Sequence, residues 1–136
     1  MSGSLSPQSK NNMLDAELAG TLYVGLFTDA AGLLSNQTPT TEATAGNCPG
    51  YTRQAVTHAA AANGLKETNS AVAFTATGNW ATVRYAGVFT AVTGGALKYW
   101  ADLRAAGVLA PKTPTNGEQV TIAAGELEAT LISPAT

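Results

Sequence analysis

One cysteine, one histidine and very little charge set the first limits on this 136-residue chain. With Cys48 alone, no disulfide closes within the chain, and the thiolate and imidazole clusters that hold zinc or iron have no material to form from. Stability must then come from packing and pairing. Cys48 sits in the turn GNCPGY with no neighbour that would lower its pKa, so it is expected to be a passive thiol. Charged residues make up 12%, about half of the usual share of about 25% in a soluble domain. A surface this poor in charge suits a protein packed among partners. The net charge is -2, the pI is near 5.2 and the seven Lys and Arg are scattered, which gives no electrostatic footprint for nucleic acid. No run approaches the about 18 apolar residues that span a bilayer, and MSGSLSPQSKNNM lacks a signal-peptide core. No membrane partner is expected, and the chain is expected to be made and kept in a cytoplasm at least until assembly.

The motifs of catalysis are missing as well. No G-x-S-x-G elbow, P-loop or dinucleotide fingerprint occurs. His58 stands among Ala and Thr with no signalled partner, so a packed or surface role is expected rather than a general base. Glu126 and Glu128 share a strand parity at the end of the chain, where a solvated face is the simpler account than an acid and base pair. Gly94 and Gly95 lack the following helix that a phosphate site requires. No catalytic residue, metal site or cofactor is expected, and the chain is not expected to be an enzyme.

What the sequence does have is alternation. Between Trp80 and Leu103, WATVRYAGVFTAVTGGALKYWADL contains two alternating apolar runs around a loop ending in Thr93, Gly94 and Gly95. Val83, Tyr85, Gly87 and Phe89 share one parity, and Leu97, Tyr99, Ala101 and Leu103 share another. If Thr90 pairs with Ala96, the register sets Phe89 across from Leu97, Gly87 from Tyr99, Tyr85 from Ala101 and Val83 from Leu103. It also sets Arg84 across from Asp102, a pair of the kind that contributes about 0.2–1 kcal/mol. One face would be apolar, with Lys98, Trp100 and Asp102 on the other. An aromatic as large as Trp100 on a polar face is either covered by a loop of its own chain or open to a partner. Trp80, at the hairpin entry, is expected in the core.

Around this hairpin the chain reads as short strands. Residues 1 to 10 are small and polar, expected to be extended or disordered unless held down. Ser6 and Pro7 have the form of a helix N-cap and first helical residue, with Met13, Leu14 and Leu18 at helical spacing before Gly20. That helix either packs on the sheet rim or reaches onto an adjacent subunit. TLYVGLFT, from Thr21 to Thr28, is apolar on both parities, as a central strand would be. Asp29 to Gly50 is a long low-complexity segment expected to be a surface loop. Tyr51 to Ala60 and Ala71 to Ala76 resume β patterns, with Leu65 to Ser70 a polar connection between them. RAAGVLAPKTPTNGE is a turn-rich connection. Gln119 to Ala123 and Glu126 to Ile132 are expected to form a tight hairpin, with Val120, Ile122, Leu127, Ala129 and Leu131 inward. The predicted class is all-β, an antiparallel β-sandwich or jelly-roll-like barrel. The predicted division is residues 1–20 as N-terminal arm and short helix, and residues 21–136 as one β domain.

The ordered set LYVGLFTDA, YTRQAVTHAAAANG, TNSAVAFTATGNWATV, GVFTAVTGGALKYWADL and PKTPTNGEQVTIAAGELEATL resembles a family of small tailed-bacteriophage virion proteins across about residues 11 to 132. Its members often carry the label of phage tail fibre protein, and some look like capsid decoration or cement proteins. The resemblance implies a structural role on the virion. The leading expectation is a head decoration protein, a homotrimer on the capsid surface that bridges copies of the major capsid protein; binding only the assembled lattice would stabilise it. The alternative is a tail-fibre or receptor-binding component recognising a host surface glycan, with Tyr99 and Trp100 as stacking residues. Arg84, Lys98, Trp100, Asp102, Met13 and Leu14 are the candidate partner contacts.

Overall fold

A computed structural model describes residues 3–105 and 108–131 of the chain. The expected end of the last strand at Ile132, the first two residues of the expected arm and the tip of the RAAGVLA connection at Ala106 and Gly107 lie outside the described residues.

Helix α1 spans Pro7–Glu17. It starts where the sequence places a cap: the Ser6 hydroxyl accepts a hydrogen bond from the Ser9 amide at 3.1 Å, and Pro7 fills the first turn, where no amide partner is needed. The helix therefore takes Pro7–Lys10 from the stretch expected to be extended. It ends at the C-cap Leu18, whose amide donates to the Leu14 carbonyl at 3.0 Å, and Gly20, at φ +72°, follows two residues later.

Among the described residues ten short strands follow; β1 (Leu22–Phe27), β2 (Gln54–Val56), β5 (Tyr85–Phe89) and β6 (Leu97–Asp102) form one antiparallel sheet in the order β2-β1-β5-β6. The second layer consists of two ribbons: β3 (Leu65–Glu67) with β10 (Glu128–Thr130), and β4 (Val72–Thr75) with β9 (Gln119–Ile122). A small hairpin, β7 (Arg104–Ala105) with β8 (Val108–Leu109), leaves the end of β6. Between the layers lies the core: Leu22, Val24, Leu26, Ala86 and Val88 from the large sheet meet Val72, Phe74, Val120, Ile122 and Leu127 from the ribbons, with Trp80 and Cys48 closing its ends. The protein is thus an all-β antiparallel sandwich with a short N-terminal helix, and the described strands do not close into a barrel.

Leu65–Glu67, expected as polar connection, is strand β3. The two-residue turn at Asn63 and Gly64, φ +55° and +73°, reverses the chain, and Ala62 and Leu65 exchange both backbone hydrogen bonds at 2.9 Å. The expected hairpin between the last two strands does not form. The turn after Ile122 sends β9 to β4 and β10 to β3, while Val120, Ile122 and Leu127 are buried as their alternation requires.

The central hairpin forms, with Thr90 donating to Ala96 at 3.0 Å and Phe89 facing Leu97, but a β-bulge then shifts the register. Lys98 is the extra residue. Beyond it Val88 faces Tyr99, Gly87 faces Trp100 and Tyr85 faces Asp102, so the expected Gly87–Tyr99, Tyr85–Ala101 and Arg84–Asp102 pairs are replaced. A single inserted residue inverts the parity of everything after it. Trp100 consequently joins Phe27, Tyr85, Phe89 and Leu97 on the outer face, while Tyr99 and Ala101 pack toward the inner core. Asp102 ion-pairs with Arg104 at 3.4 Å instead of with Arg84.

The expectation of one apolar and one watery face also changes, because all five residues of β5 are buried. Gly25 and Gly87 face each other across β1 and β5. Their missing side chains leave a trough on the outer face, and a Cβ on Gly25 would lie 2.8 Å from the Tyr51 hydroxyl, 2.9 Å from Phe89 and 3.0 Å from Glu42. Gly25→Ala should therefore destabilise the fold by about 1–3 kcal/mol through overpacking. Gly46→Ala, whose Cβ would meet only the Thr44 side chain at 3.6 Å, should change stability by less than about 0.5 kcal/mol. Urea unfolding midpoints of the two variants check the contrast.

Candidate functional site

The segment Asp29 to Gly50, expected as a surface loop, is largely exposed but also covers the outer face of the large sheet and is pinned at both ends. At one end the Tyr85 hydroxyl donates to the Ala30 carbonyl at 2.9 Å and accepts from the Leu33 amide at 3.1 Å. Trp100 Nε1 donates to the Gln37 carbonyl at 3.1 Å, and its ring meets Tyr85 edge-on at 5.5 Å. At the other end Arg53 holds Glu42 through two parallel bonds, Nε to Oε2 at 2.8 Å and Nη2 to Oε1 at 2.7 Å. The remaining terminal nitrogen, Nη1, donates to the carbonyls of Ala91 and Gly94 at 2.8 and 2.7 Å, fastening the tip of the central hairpin. The guanidinium carbon lies 3.5 Å from the Phe89 ring centre, a cation–π contact. Tyr51 completes the network by donating to Glu42 Oε2 at 2.5 Å and accepting the Leu26 amide at 3.1 Å, which β2 is too short to reach.

These contacts fix the charge states. Desolvation pushes the Glu42 carboxyl up, but hydrogen bonds from Arg53 and Tyr51 outweigh it, and the group lies below its ordinary range. Burial, and then the Glu42 carboxylate, push the Tyr51 phenol up, so it stays a donor. The hydrogen bond to Glu42 raises Arg53 further above its ordinary value. Burial pushes the Cys48 thiol up, away from the thiolate that a nucleophile would need. His58 lies 2.8 Å from the Tyr99 hydroxyl through Nε2; burial, and then Lys66, hold it below its ordinary value. Its Nδ1 is buried with no hydrogen-bond partner among the described residues. Among those residues no group of three His, Cys, Asp or Glu side chains is placed to hold a metal ion, and no helix is long and apolar enough to cross a membrane.

Beside this sealed face runs an open groove of about 970 Å³ along the free edge of β6. The 35–38 segment forms one wall, and the diverging strands β9 and β10, unpaired with each other, form the opposite one. Of the residues expected to make contacts, Lys98, Trp100 and Asp102 line the groove. Lys98 reaches back to Glu17 at 2.6 Å, and Trp100 is half-covered by the loop of its own chain. Arg84 is half-buried at the start of β5, outside the groove lining. Leu14 is buried at 6% exposure within its own chain, and Met13 beside it is exposed. The six residues therefore occupy three places: the groove, the head of β5 and the helix. Tyr51 and Arg53 share a parity of the run read as a strand and Glu42 lies in the low-complexity segment, but nothing in the sequence joined the three, because their meeting depends on how the loop folds over.

The fold defines the class as an all-β antiparallel sandwich with one face covered by its own loop and an open groove at its edge. Over residues 6–130 the chain matches the model of a family described as Podophage GP4 fiber I protein gp80, and it belongs to this family of phage virion, fibre-type structural proteins. The resemblance to small tailed-bacteriophage virion proteins is thereby confirmed. No curated protein matches the chain.

Glu42→Gln strands the Arg53 side chain, which is only 9% exposed, without its counter-charge, and should cost about 2–4 kcal/mol at neutral pH. Because the folded Glu42 carboxyl titrates below its ordinary 4.5, its contribution is present above that pH and is lost as pH falls through the lower folded value. The gap between wild type and variant should accordingly narrow in acid. Denaturant midpoints measured across that range test both the size and the sign.

Proposed function

We propose that this chain is a structural subunit of the phage's fibre apparatus, contributing a rigid β module whose β6 groove packs against a neighbouring virion protein. The observation that carries this reading is the family match across residues 6–130, whose description is that of a fibre protein. The groove supports it physically. Free strand edges and half-buried side chains along Leu97–Asp102 offer backbone hydrogen-bonding groups and apolar area together. The sparse charge of the chain, 12%, is in keeping with a surface covered by neighbours.

Head decoration is the second reading, favoured by the same low charge and by the decoration-like members of the resembling family. It would place a homotrimer on the capsid surface against the major capsid protein. A glycan-binding fibre would draw on Trp100, since the Tyr99 hydroxyl is engaged by His58. Copy number and location separate the readings. Quantitative gels of purified heads and tails should show this chain in a few copies travelling with tails; hundreds of copies travelling with heads would overturn the fibre assignment in favour of decoration. Glu126→Arg, at an exposed position on the groove rim, should leave stability within about 0.5 kcal/mol and lower incorporation into particles by about tenfold or more. Undiminished incorporation would remove the groove as the contact surface.

A further inference from the structure

Helix α1 is held on the sandwich in an unusual way for an amphipathic segment. Its buried apolar contribution is two residues, Leu14 at 6% and Leu18, just past its end, at 3% exposure. An isolated helix of this length is marginal in water, so docking is what maintains it. Most of the fastening is polar, with Asn11 and Asp15 one turn apart on the same side of the helix and Glu17 near its end on another. Asn11 Oδ1 accepts the Gly64 amide at 2.9 Å. Asp15 Oδ1 accepts both the Ala61 amide at 2.9 Å and Lys66 Nζ at 2.7 Å. Glu17 Oε1 accepts Lys98 Nζ at 2.6 Å.

The two ion pairs differ in what they protect. Glu17 is 63% and Lys98 24% exposed, so water can replace either partner. Lys66 is only 7% exposed in its side chain, whereas Asp15 is 45% exposed. Within the described hydrogen bonds and ion pairs, the one carboxylate that meets the buried ammonium comes from α1. The hydrogen bond from Lys66, and then the Ala61 amide, hold the Asp15 carboxyl below its ordinary value. Removing that carboxylate leaves a desolvated cation under the helix, a state that is relieved by lifting the helix and letting water reach Lys66.

We propose that α1 is a carboxylate-latched strap: Asp15 seated on Lys66 and the Ala61 amide keeps the helix down, and loss of that one contact frees α1 while the sandwich stays folded. The hinge is the connection at Gly20, in the left-handed conformation at φ +72°. From α1 and its cap the core between the sheets draws only Leu18, so its other members give up that one residue and keep their contacts with one another when the strap lifts. A lifted strap presents Leu14 and Leu18 together with the already exposed Met13 and Leu5, converting an internal packing stripe into a free apolar surface.

Native-state amide exchange on the full chain tests this. In Asp15→Asn the amides of Lys10–Glu17 should lose about tenfold or more of their protection at neutral pH, while those of β1 and β5 keep theirs. Adding Lys66→Met to Asp15→Asn removes the stranded cation and should restore most of the helix protection. The latch is overturned if α1 protection is unchanged in Asp15→Asn, if β1 and β5 lose protection in parallel with α1, or if the double variant recovers nothing.

Discussion

The ion pair between Arg53 and Glu42 is the contact on which the outer half of this molecule depends. A guanidinium that is 9% exposed cannot stay out of water without a matched anion, and the planar fork of Arg fits a carboxylate through two parallel bonds. Once that pair forms, three separate parts of the chain are committed. Glu42 brings the long loop onto the sheet, Arg53 brings the lead-in to β2, and the carbonyls of Ala91 and Gly94 bring the hairpin tip. Tyr51 links the same carboxylate to the Leu26 amide on β1 and stacks with Phe74 at 6.0 Å, so the outer network and the inner core share a residue. The glycine pair at Gly25 and Gly87 makes this possible, since side chains at either position would fill the trough that the network and the Phe27 and Leu97 side chains occupy.

This arrangement has a functional consequence. A sheet covered on one side by ribbons and on the other by its own loop has few ways left to meet a neighbour. Among the described residues the edges of the large sheet are β2, three residues long, and β6, six residues long with the groove beside it. Edge strands invite pairing with other chains, and β6 carries two features that restrain it: a bulge and a Lys at the bulge position. A virion protein faces opposing demands here, since it must stay soluble before assembly and bind firmly afterward. A bulged edge that carries a Lys and half-buried aromatics resists open-ended pairing, and under the proposed function it would keep contact area for a fitted partner.

The polar contacts also divide into two kinds. Those around Arg53 tie parts of the β body to one another and are mostly shielded from water. Those under α1 tie a terminal segment to the body, and their carboxylates stand half in solvent. The first kind makes the module rigid, and the second leaves its end conditional on a few hydrogen bonds. Cooperative units of different stability within one small protein follow from that difference in apolar burial.

By itself the sequence determined the all-β class, the capped start of α1, the two-sided burial of β1, the existence of the central hairpin and the inward positions Val120, Ile122 and Leu127. All of these follow from local periodicity and capping chemistry, which act over a few residues. It also carried the family, through an ordered set of segments. Tertiary structure alone decided the bulge at Lys98 and therefore the face on which Trp100 lies, because one extra residue costs little locally and is chosen by which aromatic fits which side of the sheet. It decided that β9 and β10 part rather than pair, β9 joining β4 and β10 joining β3. It decided as well that Glu42 meets Arg53 and Asp15 meets Lys66: charges far apart in the chain attract only after packing has brought them together and taken away the water that would otherwise screen them.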